Sequence, residues 1–174
     1  NAAIIAIGAV AFDLKTLTLG KEFYAIVDLQ SSVDKGGVMD PSTVLWWMEQ
    51  RDEARAEFYC KRGMPITSAL IDFRSWVDFD VTEGDPDLQV WGNGATAACI
   101  WLRTDYTTVS GELPVGCPWD LWQERDVRTV VALGWLARMP DYKRALPFRG
   151  TPHNCVDDAA HQARYTIEII QDLT

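Results

Sequence analysis

Residues Ala3–Phe12 read AIIAIGAVAF, a short and almost unbroken apolar run. Ten such residues with β-branched members predict a strand buried in a sheet, because the run is too short for a core helix or a membrane span. Polar turn residues follow over Asp13–Gly20, and Glu22–Asp28 (EFYAIVD) reads as a second strand. The two are expected to pair as an antiparallel hairpin.

The remaining segments alternate in character. Asp40-Pro41-Ser42-Thr43 is a helix start, with a capping aspartate and proline at the first helical position. Thr43–Cys60 is helical in pattern, in two pieces around Gln50–Asp52, and Gly63-Met64-Pro65 breaks it. Ile66, Ala69, Leu70, Phe73 and Val77 form a helical stripe. An acidic loop over Asp78–Asp87 leads to a short strand, Leu88–Trp91, which ends at Gly92-Asn93-Gly94. Helices are expected over about 97–107 and over 127–136, the second capped by Asp126, with a Gly/Pro-rich loop over 110–120 between them. A basic loop over 138–152 precedes a last helix from about Asp157 to Leu173. Its core stripe is Val156, Ala160, Ala163, Ile167 and Ile170. Two strands, helices, a strand and further helices make a single α/β domain over residues 1–174. An open sheet of this class binds its ligand at the carboxyl ends of the strands, where Asn93 lies.

The net charge of −9 argues against wrapping long duplex nucleic acid by phosphate neutralisation. The acid is uneven: residues 125–174 hold 7 basic and 6 acidic side chains, against 9 and 19 in residues 1–124. The last fifty residues therefore repel phosphate least. Cys60, Cys99, Cys117 and Cys155 are scattered without a C-x-x-C pair, which reads as reduced cytoplasmic thiols rather than a zinc site. Nothing in the chain has the length and apolarity of a signal peptide core or a membrane span.

The sharpest chemical feature is His153-Asn154-Cys155-Val156-Asp157-Asp158, a loop histidine followed five residues later by an aspartate in the first turn of a helix. A carboxylate binds hard divalent cations, and a neutral imidazole can deprotonate water near pH 7. Together they suit metal-assisted hydrolysis. The same six residues also fit a plain helix start, with Asp157 as cap, Asp158 complementing the dipole and His153 an ordinary loop residue.

His153–Asp158 with the helix that follows resembles the third motif of the DEDDh-type 3′-5′ exonucleases, the superfamily of RNase T and oligoribonuclease. Ile4–Phe12 looks like that family's second strand, Trp91-Gly92-Asn93-Gly94 like the approach to its second motif, and Arg125–Thr129 like the segment before the helix that precedes the third. With the pair Trp46-Trp47, the pattern is most similar to a phage and bacterial subgroup of small exonucleases, some acting on RNA. The resemblance implies an RNase H-like fold, a mixed sheet flanked by helices, two Mg²⁺ or Mn²⁺ ions, and stepwise removal of nucleotides from the 3′ end of single-stranded RNA or DNA. It implies Asp158 as a metal ligand and His153 as general base, in the cytoplasm of a bacterial or phage-infected cell. It leaves the oligomeric state open, a homodimer being the assembly that related enzymes often form.

The chain departs from the pattern twice. The family's Asp-x-Glu motif belongs to a central strand just before the segment matching Ile4–Phe12, so roughly ten further residues are expected ahead of Asn1. Counting from Asn93, the second-motif aspartate falls at position 98, which is alanine. Ala98 is either an introduced inactivation or a natural loss. Alanine ligates no cation, and one remaining carboxylate neutralises two ions poorly, so this polypeptide is expected to be inactive or nearly so. The alternative function is a catalytically dead module that binds nucleic-acid ends or a protein partner.

Other residues carry paired readings. Trp46 and Trp47 point about 100° apart on a helix, so one can pack while the other stacks on a base; Trp47 is the expected stacking residue. Asn93 either orients substrate or shapes its turn, and Asn154 either contacts phosphate or shapes its loop. Arg128 is a candidate phosphate contact and Asp126 a cap. Lys143, Arg144 and Arg149 either lead a strand end inward or form a solvated face, and His161 reads as a core or surface histidine.

Overall fold

The computed structural model describes residues 1–60, 62–82, 88–109, 111 and 116–174. The expected hairpin forms from β1 (Ala6–Asp13) and β2 (Thr18–Ile26), with Ala6 opposite Ile26 and Gly8 opposite Tyr24. Asp13 builds the turn by accepting the N–H groups of Lys15 at 2.6 Å and Thr16 at 3.2 Å. The register shifts between Val10 and Phe12, a bulge that twists the end of β1.

A second pair, β3 (Val90–Gly92) and β4 (Glu124–Asp126), runs parallel, with Gly92 opposite Asp126. The sequence gives no sign of β4, because three residues hold too few alternations for a period to show. The α/β class holds, but the expected single mixed sheet is replaced, among the described residues, by two separate strand pairs. No described strand bridges β1 and β3. The aromatic edges meet instead, Phe12 against Trp91 with ring centroids 6.0 Å apart.

Helix α1 (Leu29–Asp34) was not anticipated; Asp28 caps it by accepting from Ser31 N–H. The long helical stretch splits as expected, into α2 (Pro41–Glu49), capped by Asp40 with proline at its start, and α3 (Asp52–Cys60). On α4 (Ile66–Trp76) the stripe Ile66, Ala69, Leu70 and Phe73 is buried, and Val77 continues it into a π-helical turn over Val77–Val81. The rest of the acidic loop, residues 83–87, lies outside the described residues, as do 110 and 112–115 of the Gly/Pro-rich loop. Each fully buried aliphatic of the stripe contributes about 1.5–3 kcal/mol. Tyr106 on α5 (Ala95–Thr108) donates to the Leu70 carbonyl at 2.6 Å, joining α5 to α4.

Helix α6 (Val127–Leu136) follows β4 directly, capped by Asp126 as expected. The basic loop contains a short turn of helix, α7 (Tyr142–Ala145), before α8 (Cys155–Leu173). Val127 and Val130 of α6 pack with Tyr165 and Ile169 of α8 in a second core. Along the expected α8 stripe, Ala160, Ala163 and Ile167 are buried, while Val156 and Ile170 are half-buried. The start of α8 lies directly on β1. A Cβ on Gly8 would sit 2.5 Å from both the Cys155 carbonyl carbon and the Val156 nitrogen, so the close approach depends on glycine there. Among the described residues no helix is long and apolar enough to cross a membrane.

Candidate active site

Helix α8 starts two residues earlier than its sequence suggested, and its cap is Asn154 rather than Asp157. The Asn154 side-chain oxygen accepts from Val156 N–H at 3.1 Å and Asp157 N–H at 3.3 Å. Asp157 is half-buried and accepts Thr151 N–H at 2.7 Å. The Asn154 amide donates to Glu57 at 2.7 Å, and the same Glu57 oxygen accepts the Tyr24 hydroxyl. One carboxylate on α3 thus ties the capping residue of α8 to strand β2.

The capping turn forces His153 into left-handed backbone geometry, φ 71°, which a non-glycine residue adopts only when its surroundings hold it there. Its N–H points at the Asp158 carboxylate, 3.4 Å away, while Asp158 N–H bonds the Asn154 carbonyl at 2.9 Å. Asp158 is half-buried. Burial raises its pKa above the usual carboxylate value, and the His153 N–H and imidazole offset this only in part. A carboxylate in that position gains from any cation brought to it. The Cys155 thiol beside it is pushed up to about 12, chiefly by burial, and is inert as a nucleophile near neutral pH.

A second cluster of candidate residues forms where the two parallel strands end. Asp126 accepts Ala95 N–H at 2.9 Å and Arg128 N–H at 2.7 Å, so one side chain caps the starts of both α5 and α6. Burial pushes its pKa up, but the surrounding N–H groups outweigh that and hold it below the usual value. Arg128 donates from Nε to the Asn93 side-chain oxygen at 3.3 Å, and its guanidinium lies over Gly94, where a Cβ would sit 3.1 Å from Cζ. Gly94 itself has φ 92°, which favours glycine. The Tyr165 hydroxyl is pushed up to about 12, mainly by burial, with the Asp158 charge adding and the Arg128 charge opposing.

The sequence-derived residues fall into two groups. His153, Asn154 and Asp158 come together at the start of α8, and Asn93 and Arg128 meet at the β3–α5 turn. Ala98 sits in the first turns of α5, exposed, its N–H on the Gly94 carbonyl at 3.2 Å. The tryptophans divide their work: Trp47 packs against Phe58 at 5.2 Å, and it is Trp46 whose ring meets His153, 5.0 Å between centroids. Lys143, Arg144 and Arg149 are exposed, and Arg144 pairs with Asp141 at 3.5 Å. His161 is buried, with Nε2 donating to the Lys143 carbonyl at 3.0 Å, which anchors the basic loop on α8. Glu57 and Tyr24 escaped the sequence reading because Glu57 reaches its Asn154 partner across 97 residues, with no local pattern to mark it.

Two-metal chemistry needs several carboxylates on one point. Among the described residues no group of three or more His, Cys, Asp or Glu side chains comes together to hold an ion. Asp158 offers one carboxylate, Asp157 is spent on Thr151, and position 98 offers a methyl group. The described residues do not by themselves fit a paired-ion centre.

No curated protein and no solved structure matches this sequence. The family model described as a 3′-5′ exoribonuclease Rv2179c-like domain matches residues 1–170. With nearly the whole sequence covered, the chain belongs to the Rv2179c-like family of 3′-5′ exoribonuclease domains.

Proposed function

We propose that this domain is an RNase H-like exoribonuclease of the DEDDh type that engages the 3′ end of single-stranded RNA, and that Ala98 leaves it with little or no hydrolytic activity. The observation that carries the reading is Asp158, a half-buried carboxylate with no Lys or Arg ion-pair partner among the described residues, which accepts the His153 backbone N–H. The reading assigns Asp158 as a ligand for Mg²⁺ or Mn²⁺, since carboxylate oxygens suit hard cations. It assigns the exposed His153 as general base. Arg128 and Asn93 hold phosphate or sugar at the strand ends, and Asn154 supports the loop that aims His153. The donors at hand fall short of a complete ion site, so no hydrolytic step is assigned to this polypeptide as it stands.

Ala98 also favours a second reading, a module that grips RNA ends without cutting them. The two part on one experiment. Ala98→Asp in the full-length protein is incubated with 5′-labelled single-stranded RNA and Mg²⁺ or Mn²⁺. The exoribonuclease reading expects a ladder shortening from the 3′ end, a rate at least about 100-fold above the unsubstituted protein, and loss of that gain when His153→Ala is added. RNA binding without shortening in the Ala98→Asp protein supports the end-binding module. Neither binding nor shortening removes both.

A further inference from the structure

Among the described residues, β2 has β1 as its one neighbouring strand. Just past its end, Val27 N–H bonds the Ile5 carbonyl at 2.9 Å, so odd-numbered residues turn their backbone groups toward β1. Even-numbered residues turn theirs outward, and the unbroken register from Ile26 back to Glu22 keeps that alternation. On the outer side Met64 N–H bonds the Ile26 carbonyl at 2.9 Å, and the Met64 carbonyl accepts Asp28 N–H at 2.8 Å. This is a single parallel bridge opposite Val27. Ahead of it, the Ile26 N–H, both backbone groups of Tyr24 and the Glu22 carbonyl meet no partner among the described residues. A pocket of about 370 Å³ opens at that point, lined by Tyr24, Ala25, Ile26, Arg62, Gly63 and Met64. We infer that this edge is a peptide-binding site, which takes the carboxyl end of an extended protein segment as an added parallel strand. The inference is independent of the nuclease reading of the domain.

Three features select that ligand. Gly63 and Met64 close the edge from Val27 onward, and a Cβ on Gly63 would sit 2.5 Å from the Asp28 nitrogen. A strand added ahead of them has to stop there, so it arrives as a chain end. Arg62 lines that closed end, and its guanidinium has no hydrogen-bond or ion-pair partner among the described residues. Arg55, Arg74, Arg103 and Arg144, by contrast, are each paired with a carboxylate. A parallel strand brings its terminal carboxylate to Arg62, whereas an antiparallel one would bring a repelled ammonium group. The last residue then lies opposite Ala25, its N–H on the Tyr24 carbonyl and its carboxylate on the Ile26 N–H. Two residues earlier, the peptide bonds the Glu22 carbonyl and the Tyr24 N–H. Finally, Glu22 is exposed and unpaired among the described residues, and the residue three before the peptide's end lies opposite it. A lysine or arginine there complements Glu22, and Ala25, Ile26 and Met64 suit an apolar last side chain. Lys21, a cation that could guard the edge, is held by Asp80 at 2.6 Å. The net charge of −9 favours a basic segment over a second copy of this chain.

The test follows the fluorescence anisotropy of an N-terminally labelled peptide, Ser-Gly-Lys-Thr-Val-Val with a free carboxylate, as the full-length protein is added. The expected result is saturable binding. Amidating the carboxyl end, N-methylating the last residue, or Arg62→Ala should each weaken it about tenfold or more, and Arg62→Lys should partly retain it. N-methylation removes the N–H meant for the Tyr24 carbonyl, which separates strand addition from simple charge pairing. Replacing the peptide's lysine with glutamate should weaken binding about threefold, and Glu22→Lys should invert that preference. Lys15→Ala, in the turn at the far end of the hairpin, should leave binding unchanged. No saturable binding at millimolar protein, or equal binding by the amide, by the N-methylated peptide or by Arg62→Ala, would each overturn the site. A dimer that Arg62→Ala abolishes, with no peptide bound, would assign the edge to a second copy and overturn it as well.

Discussion

The indole of Trp46 meets the imidazole of His153 edge to face, with centroids 5.0 Å apart and ring planes at 85°. Its neighbour Trp47 meets the Trp46 ring edge to face, 5.1 Å between centroids, and packs against Phe58 rather than His153. Base stacking contributes about 1–3 kcal/mol per base, so Trp46→Ala is expected to weaken binding of a short oligoribonucleotide by roughly 5- to 150-fold while changing the melting temperature little. Trp47→Ala should do the reverse, lowering the melting temperature by several degrees with a smaller effect on affinity. Fluorescence anisotropy and thermal melts on both variants separate the two roles.

Glu57 accepts both the Tyr24 hydroxyl and the Asn154 amide. Removing that acceptor strands two part-buried donors, and Glu57→Ala should cost about 1–3 kcal/mol in urea unfolding. Tyr24→Phe leaves the Asn154 contact in place and should cost less. A double-mutant cycle between Tyr24→Phe and Asn154→Ala is expected to return a coupling of at least about 0.5 kcal/mol through the shared carboxylate. Strict additivity would mean the two contacts do not share it.

Gly8 has no room for a side chain beneath the first turn of α8. Gly8→Ala should therefore either push α8 off β1, at a cost of about 1–3 kcal/mol, or prevent folding. Gly111 has no atom of the described residues within 4 Å of an added Cβ, so Gly111→Ala serves as the tolerated control. Equal melting temperatures for the two variants would contradict the close strand–helix contact.

Asp105 is 3 % exposed, and one of its carboxylate oxygens has no hydrogen-bond partner. Burial raises its pKa from 3.8 to about 6. A folded-state value above the unfolded one means that the native state holds the proton more tightly. The penalty is absent below about pH 3.8, grows between there and pH 6, and is full above it, on the order of 3 kcal/mol. Asp105→Asn is expected to raise the melting temperature by several degrees at pH 8 and to change it little at pH 4. A gain that is the same at both pH values would show that the effect is not one of ionisation.

The elements with a strong local signal were legible in the sequence. The β1–β2 hairpin, the proline-started α2, the break between α2 and α3, and the buried stripe of α4 each follow from residues within one turn or one strand of each other. The histidine–aspartate corner was legible too, because its six residues are contiguous. What failed was short or long-range: β4 is three residues long, and Asn154, which caps α8 in place of Asp157, has its amide held by the distant Glu57.

The amino-acid order alone determined the α/β class, the positions of most helices, the alanine at 98 and the chemistry available at His153 and Asp158. These are properties of nearest neighbours and of side-chain type. Packing decided the rest: that Trp46 and not Trp47 stands against His153, that Arg128 lies over Gly94, that Glu57 ties Asn154 to Tyr24, and that the described strands form two pairs. Each of these depends on segments far apart in the chain arriving within a few ångströms, and no local pattern records which of them will meet.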